Sequence, residues 1–326
     1  MSTTSVGIVV IGRNEGERLK RCIRSITDQA SLIVYVDSGS TDGSAEWAQE
    51  QGVDLLNLDM SQPFTAARAR NAGFTRLTQL NSSIEFVQFV DGDCEVAEGW
   101  IGAAMQFMES HKDVAVVCGR RRELYPEHSV YNQFCDIEWN TPVGKALSCG
   151  GDAMMRTDVF KMVSGYRPDL IAGEEPELCV RIRATEHKVW RIDREMTLHD
   201  ANIKHFSQWW KRTARCGYAY ALGASIHGSS SERFRVKETM RMVFWGAVLP
   251  GSIVLGLVLY PPLLLLIAVY PVQYIRLLFS GKRMHFRLRS QWALFSLLGK
   301  FPEFYGSVKF VFDRLLKRRG KIMEYK

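Results

Sequence analysis

The sequence predicts an α/β protein: a doubly wound mixed sheet, followed by a C-terminal hydrophobic helical hairpin and a basic amphipathic tail. Three observations carry that expectation. Over the first 120 residues, short apolar runs alternate with amphipathic helical patterns. Polar clusters follow three of the apolar runs. Further along, no charged residue occurs over the 34 positions Met242–Ile275.

Taken in order, Val6 to Ile11 is a short apolar strand, and Leu19, Cys22, Ile23 and Ile26 then share one face of a helix. Leu32 to Val36 is the second strand. The polar turn "DSGSTDGS" leads into a helix from about Ala45, Val53 to Leu58 is the third strand, and "TAARARNAGFTRL" is again helical. Phe86 to Val90 is the fourth strand. These strands are apolar on both faces, as strands are when helices cover both sides of a parallel sheet. Right-handed crossovers bring the C-terminal ends of such strands to one edge, where ligands of open α/β sheets bind. The clusters "GRNE", "DSGSTD" and "DGD" are therefore expected to converge there.

One straight helix through the uncharged segment would run about 51 Å, against roughly 30 Å of bilayer core. It has to break, and Tyr260-Pro261-Pro262 lies where proline removes a backbone donor and restricts the residue before it. Arg241 on one side and Arg276, Lys282 and Arg283 on the other favour a hairpin of two halves, about 17 residues each, with both ends in the cytoplasm. A re-entrant hairpin and a buried helical pair are the alternatives. Residues 291–315 intersperse Trp292, Phe295, Leu298, Phe301, Phe304 and Phe310 with Lys300, Lys309 and Arg314, the pattern of an interfacial helix interrupted at Pro302. The expected domains are residues 1–230 for the sheet, 231–285 for the hairpin and 286–326 for the tail.

The formal net charge of +7 is unevenly spread. Residues 281–326 hold 12 Lys and Arg against 3 Asp and Glu, or +9, which leaves −2 for the rest. Beside a hydrophobic segment, such a tail points to an anionic membrane surface and not to nucleic acid. The seven cysteines are scattered, with no C-x-x-C pair, as reduced cytosolic thiols would be. The start "MSTTSVGIVVIGRNE" lacks the features of a signal peptide, so the expected location is the cytoplasmic face of the inner (plasma) membrane.

The chemistry centres on "FVDGDCEV". Two carboxylates at i and i+2 after a strand repel each other unless something positive sits beside them. A hard divalent cation takes such oxygen ligands together with the phosphates of a substrate. The alternative is a plain Asp-Gly turn.

The segments "VVIGRNEGERLKRCIRSI", "VYVDSGSTDGS", "ARNAGF", "FVDGDCEV" and "GEEPELCVRIR" resemble, in order and spacing, those of family 2 glycosyltransferases, inverting enzymes with the GT-A nucleotide-diphospho-sugar transferase fold. The likeness covers roughly residues 5–200. It implies a metal-dependent transfer of a sugar from a nucleotide-diphosphate donor, UDP by first expectation, to a hydroxyl of a saccharide or lipid-linked acceptor. Donor contacts are implied for Asn14, Glu15, Asp37, Arg70 (with Arg68 nearby), Asp91, Gly151 and Asp152. Asp91, Asp93 and His199 are implied as ligands of Mn²⁺ or Mg²⁺. Glu175 is implied as the catalytic base, with Glu174 and Glu177 as further candidates. The pattern departs at Ser38, where the family has a second aspartate, and at Glu175, where it has aspartate in place of glutamate. "HFSQWWKRTARCGYAYA" reads as a helix near the acceptor or the membrane, or as one whose tryptophans pack in a core. A nucleotidyltransferase is disfavoured, because "IGRNEGERL" is not the Gly-rich basic loop of that class. A membrane-anchored binding module without turnover is the non-enzyme alternative.

Overall fold

A computed structural model describes residues 5–30, 32–280 and 284–318. The chain divides into two compact units, Met1–Pro126 with Cys135–Asn202, and Glu127–Phe134 with Ile203–Lys326.

The first unit runs β1 (Val6–Gly12), α1 (Glu17–Ile26), β2 (Ile33–Asp37), α2 (Ser44–Glu50), β3 (Asp54–Asn57), α3 (Ala66–Leu80), β4 (Phe86–Asp91), β5 (Cys94–Val96), α4 (Trp100–Ser110) and β6 (Val114–Glu123). After α5 (Val130–Trp139), whose first turns belong to the second unit, come β7 (Gly144–Ala146), β8 (Ala153–Arg156), α6 (Thr157–Met162), α7 (Glu174–Ala184) and β9 (Lys188–His199). The strands form one sheet in the order β3-β2-β1-β4-β8-β6-β9-β5, with β7 on β9. β1 is parallel to β2 and β4, and β2 to β3, while β8 runs antiparallel between β4 and β6, so the sheet is mixed. Ile8, Val9 and Val10 are fully buried, as are Val34, Tyr35 and Val36. Helices on both faces explain why these strands are continuously apolar.

Register positions the site. Gly12 pairs with Asp37 and Ile11 with Asp91, so the ends of β1, β2 and β4 lie side by side and their three polar clusters meet. Two backbone bonds tie the departing loops: Ser38 N donates to Gly12 O at 3.0 Å, and Gly92 N to Ile11 O at 2.8 Å. On the far side, the β6–β9 pairing shifts register between Cys118 and Arg120 and again between Arg120 and Arg121. Such bulges re-aim side chains near functional edges. Gly119 permits this one, because a Cβ there would stand 2.6 Å from the Arg194 carbonyl oxygen and from the Trp100 ring.

The second unit contains α8 (Phe206–His227), then α9 (Val236–Val243), which continues through a π-helical turn into α10 (Leu249–Val258). A 3₁₀ stretch, Pro261–Ala268, leads into α11 (Val269–Leu278), followed by α12 (Phe286–Leu298) and α13 (Lys300–Leu315). The uncharged segment does break at Tyr260, between two helices that extend beyond its ends, 23 residues (Val236–Val258) and 18 residues (Pro261–Leu278), each long and apolar enough to cross a membrane. The second is short in residues, yet its 3₁₀ part rises faster, and the whole spans about 31 Å. Both expose most of their apolar side chains, Leu265 to 78%. Gly256 of the first lies against Leu263 of the second, so the two fold back as a hairpin.

The tail differs from the expectation. Its break falls at Gly299 and not at Pro302, which sits in the first turn of α13, where a missing N–H costs nothing. Trp292 and Phe295 turn inward against Phe134, and Phe295 stands edge-on to Trp209 at 4.9 Å. Trp209 is therefore a core residue of this unit, as is Phe310 beside Tyr218. The basic residues Lys282 and Arg283, and the end of the tail from 319 onward, lie outside the described residues. The seven cysteines are thiols and not disulfides, six of them buried.

α8 and α13 cross closely at glycines: a Cβ on Gly217 would collide with the Glu303 backbone, and one on Gly306 with the Ala214 carbonyl. Neither neighbour is a side chain that can swing away. Gly306→Leu should therefore destabilise this unit by about 1–3 kcal/mol or more, read as a lower melting temperature of the detergent-purified chain, whereas Gly251→Ala, with open space around its Cβ, should not.

Candidate active site

The β1–α1 and β2–α2 loops are stitched together by polar side chains. Asn14 adopts a left-handed φ of 54°, and its Oδ1 accepts the Thr41 N–H at 2.7 Å while its own N–H donates to Ser40 Oγ at 2.9 Å. Asp37 is buried. Its Oδ2 accepts the N–H groups of Gly39 and Ser40 at 2.9 and 2.8 Å, and its Oδ1 accepts the Tyr35 hydroxyl at 3.0 Å. Glu15 faces Arg18 at 2.8 Å. Ser38, the residue at which the sequence departs from the pattern it resembles, is wholly buried and its hydroxyl has no hydrogen-bond partner among the described residues.

Asp91 ends β4 and is the hub of an ionic network. Arg70, on α3 and 3% exposed, donates from Nη2 to Asp91 Oδ1 at 2.6 Å and from Nη1 to Glu174 Oε1 at 2.9 Å. Arg121 reaches Asp91 Oδ2 at 3.4 Å and binds Asp152 Oδ2 through Nε and Nη2 at 2.9 and 2.5 Å. Burial would raise the Asp91 carboxyl, but the two guanidinium charges outweigh it and hold the group well below the usual carboxylate range. Arg68 turns elsewhere: its guanidinium donates to the carbonyls of Asp59, Gln62 and Pro63.

Asp93, two residues on, faces the other way. Its Oδ2 lies 3.3 Å from His199 Nε2, and both side chains are buried. Asp93, Cys94 and His199 each bring one ligand atom within 4.8 Å of the others, whereas Asp91 groups with Cys94 and Asp152. The doublet thus belongs to two adjacent groups that share Cys94. Burial, with Arg121 adding to it, lowers His199 to about 4, so at neutral pH the ring is uncharged and keeps a nitrogen lone pair. Burial pushes the Cys94 thiol up, keeping it protonated. A carboxylate oxygen and a neutral imidazole suit Mn²⁺ or Mg²⁺ with phosphate oxygens completing the shell, and the buried pair fits such an ion without help from the thiol.

The three glutamates begin α7, and their partners differ. Glu174 takes Arg70. Glu177, at i,i+4 from Arg181, is ion-paired with it at 2.7 Å. Glu175 Oε1 accepts the Cys149 N–H at 2.5 Å and lies 3.2 Å from Cys179 Sγ, with no arginine at ion-pair distance among the described residues. The segment before β8 packs against the hub: a Cβ on Gly151 would stand 2.5 Å from Asp91 Oδ2 and 2.9 Å from Arg70 Nη2. Asp152 has no exposed surface. Its Oδ1 accepts the Asp91 N–H at 2.9 Å, and its Oδ2 accepts the Thr197 hydroxyl at 2.9 Å as well as Arg121. Asp152 is therefore the inner support of Asp91 and Arg121.

Arg121 was not among the residues singled out in the sequence. It lies in "GRRRE", where three consecutive arginines at a strand end give no sign which one turns inward. The bulge decides: Arg120 pairs with Asp136 at 2.9 Å, Arg122 with Glu195 at 2.7 Å, and Arg121 enters the site. Trp139, also unremarked in the sequence, stands edge-on to the His199 ring at 4.8 Å, with Arg121 5.5 Å over its own face.

A doubly wound sheet whose acidic, arginine-balanced edge lies beyond the parallel strands is consistent with the GT-A fold. Residues 7–161, which are 155 of the 326, match the family model described as Glycosyl transferase family 2. Among solved structures, the mannosyltransferase PcManGT from Pyrobaculum calidifontis, in complex with GDP-Man and Mn2+, matches with a TM-score of 0.60 at 16% identity, over 96% of this chain and 89% of that one. A mycobacterial protein matches with a TM-score of 0.50 at 16% identity, over 69% and 75%. The succinoglycan biosynthesis protein ExoA of Rhizobium meliloti (strain 1021) is 22% identical over 227 residues, 65% of this chain and 68% of that protein.

Removing Arg70 would leave the Asp91 and Glu174 carboxylates facing each other half-desolvated. Arg70→Ala should cost about 3–5 kcal/mol of stability, measured as a fall in denaturant midpoint. Arg70→Lys should recover only part of it, because one ammonium cannot serve both carboxylates in the geometry of a guanidinium fork.

Proposed function

We propose that this chain is an inverting family 2 glycosyltransferase, moving a sugar from a UDP or GDP donor to a hydroxyl of a saccharide or lipid-linked saccharide at the cytoplasmic face of a membrane. The observation that carries this reading is the Asp93–His199 pair, 3.3 Å apart, beside the Asp91 network at the edge where three loops converge. Asn14, Glu15 and Asp37 form the nucleoside end of the site. Asp93 and His199 hold the cation. Bound there, Mn²⁺ or Mg²⁺ would supply Lewis-acid stabilisation of the charge that builds on the departing diphosphate. Arg70 keeps Asp91 ionised and in place next to that charge.

Glu175 is the base in this scheme. As the acceptor oxygen forms its bond to the anomeric carbon and the bond to the diphosphate breaks, the acceptor's proton passes to Glu175. Glu174 and Glu177 are committed to arginines, and the Cys149 N–H fixes the Glu175 carboxylate. The GDP-Man and Mn2+ of the mannosyltransferase complex, and the succinoglycan biosynthesis in the name of ExoA, support this reading. The two exposed apolar helices supply the membrane association and favour an acceptor carried on a lipid.

Release of nucleotide diphosphate from a panel of UDP- and GDP-sugars with Mn²⁺ tests the reaction. Asp93→Ala should lose about 10²-fold or more in rate, and Glu175→Gln about 10²–10⁴-fold while still binding nucleotide. A chain that binds UDP or GDP with Mn²⁺ but cleaves no donor would be a binding module, and the proposal would fall. For the membrane segment, a thiol introduced as Tyr260→Cys should react with an impermeant reagent added from the non-cytoplasmic side. Reaction from the cytoplasmic side alone would mean a hairpin that dips into the bilayer and returns.

A further inference from the structure

We infer that Glu123 is a positioning residue for the cation site: it accepts a hydrogen bond from His199 Nδ1–H, which leaves the Nε2 lone pair facing Asp93. The inference rests on the assignment of Asp93 and His199 as cation ligands made above.

The two nitrogens of His199 point at two different carboxylates. Nε2 lies 3.3 Å from Asp93 Oδ2, and Nδ1 lies 4.0 Å from Glu123 Oε2. Nδ1 is buried and has no hydrogen-bond partner among the described residues, an arrangement that native interiors seldom leave uncompensated. A neutral imidazole has one proton to place. On Nε2 it would point toward Asp93, and the ring would offer that side a donor where a cation needs a lone pair. On Nδ1 it points at Glu123, and Nε2 becomes the acceptor. A carboxylate behind the second nitrogen is the usual device that fixes a metal-binding histidine in the required tautomer.

Glu123 is well placed for that task. It ends β6 directly opposite His199 at the end of β9, and its side chain is completely buried. Its Oε1 accepts the Tyr125 N–H at 3.3 Å and its Oε2 the Ala201 N–H at 3.1 Å. Leu124 N donates to the His199 carbonyl at 2.9 Å, locking the two strand ends together, and Trp139 stands edge-on to the ring. Closing the gap to an ordinary N–H···O distance takes a movement of about 1 Å. Glu123 touches neither donor nor acceptor in this scheme and acts only through His199.

A clamp on two backbone N–H groups, with no bearing on the cation, is the purely structural role the test must separate. The full-length chain in detergent is titrated with Mn²⁺ in the presence of UDP, with free Mn²⁺ read by electron paramagnetic resonance. Glu123→Gln should weaken Mn²⁺ by about 10–100-fold, and should have no further effect in a His199→Ala background. Equal Mn²⁺ affinity in Glu123→Gln and wild type, or an equal loss with His199 already removed, overturns the inference. Should Glu123→Gln fail to fold, ¹⁵N-histidine spectra of the wild type still decide it: a proton on Nδ1 is expected, and a proton on Nε2 refutes it. A wild-type chain that binds no Mn²⁺ at all overturns the cation assignment itself, which separates that failure from one confined to Glu123.

Discussion

Asp91 cannot be ionised and largely desolvated at the end of β4 unless positive charge reaches it, and most of the site's geometry follows from how that charge is delivered. Arg70 comes from α3 on the parallel side of the sheet and Arg121 from the bulged end of β6 on the mixed side. Each also holds a second carboxylate, Glu174 and Asp152 respectively. Three acidic side chains from separate stretches of chain are thus fixed relative to one another by two guanidinium groups. Buried ion pairs are poor sources of net stability, but they specify geometry strongly, since a misplaced partner leaves an uncompensated charge.

The same network explains why the two aspartates of "DGD" differ. Asp91 is the last residue of its strand and is taken up by the arginines. Gly92 makes the turn tightly, its N–H on Ile11 O, and Asp93 emerges toward β9 and His199. An arginine-held carboxylate has little need of a cation, whereas a carboxylate facing a neutral imidazole is suited to one. The two members of the doublet are therefore held differently, Asp91 by arginines and Asp93 beside a buried histidine.

The second unit follows different physics. Its helices are joined by close glycine crossings and by an aromatic cluster of Tyr131, Phe134, Trp209 and Phe295, while the hairpin beside them leaves most of its apolar surface uncovered. An exposed apolar surface of that extent needs a nonpolar environment, and helices of this length match a bilayer.

Periodicity and strand chemistry were enough to establish, from sequence, the first four strands, the edge on which the polar clusters meet, and the break at Tyr260. Those features depend on local propensity, on the handedness of crossovers and on proline's missing donor, all of which are written residue by residue. The candidate ligands Asp91, Asp93 and His199 could also be named, because they sit in recognisable segments. What only the tertiary structure decided was which carboxylate meets which cation. Arg121 lies among three arginines, and a bulge in the pairing of two strands far apart in sequence turns it inward. Glu123 meets His199 only through the register of β6 on β9, and Trp292 and Phe295 leave the expected membrane face because Phe134 and Trp209 offer them a core. Pairings of that kind are set by the packing of distant segments, and a pattern read along one chain has no access to them.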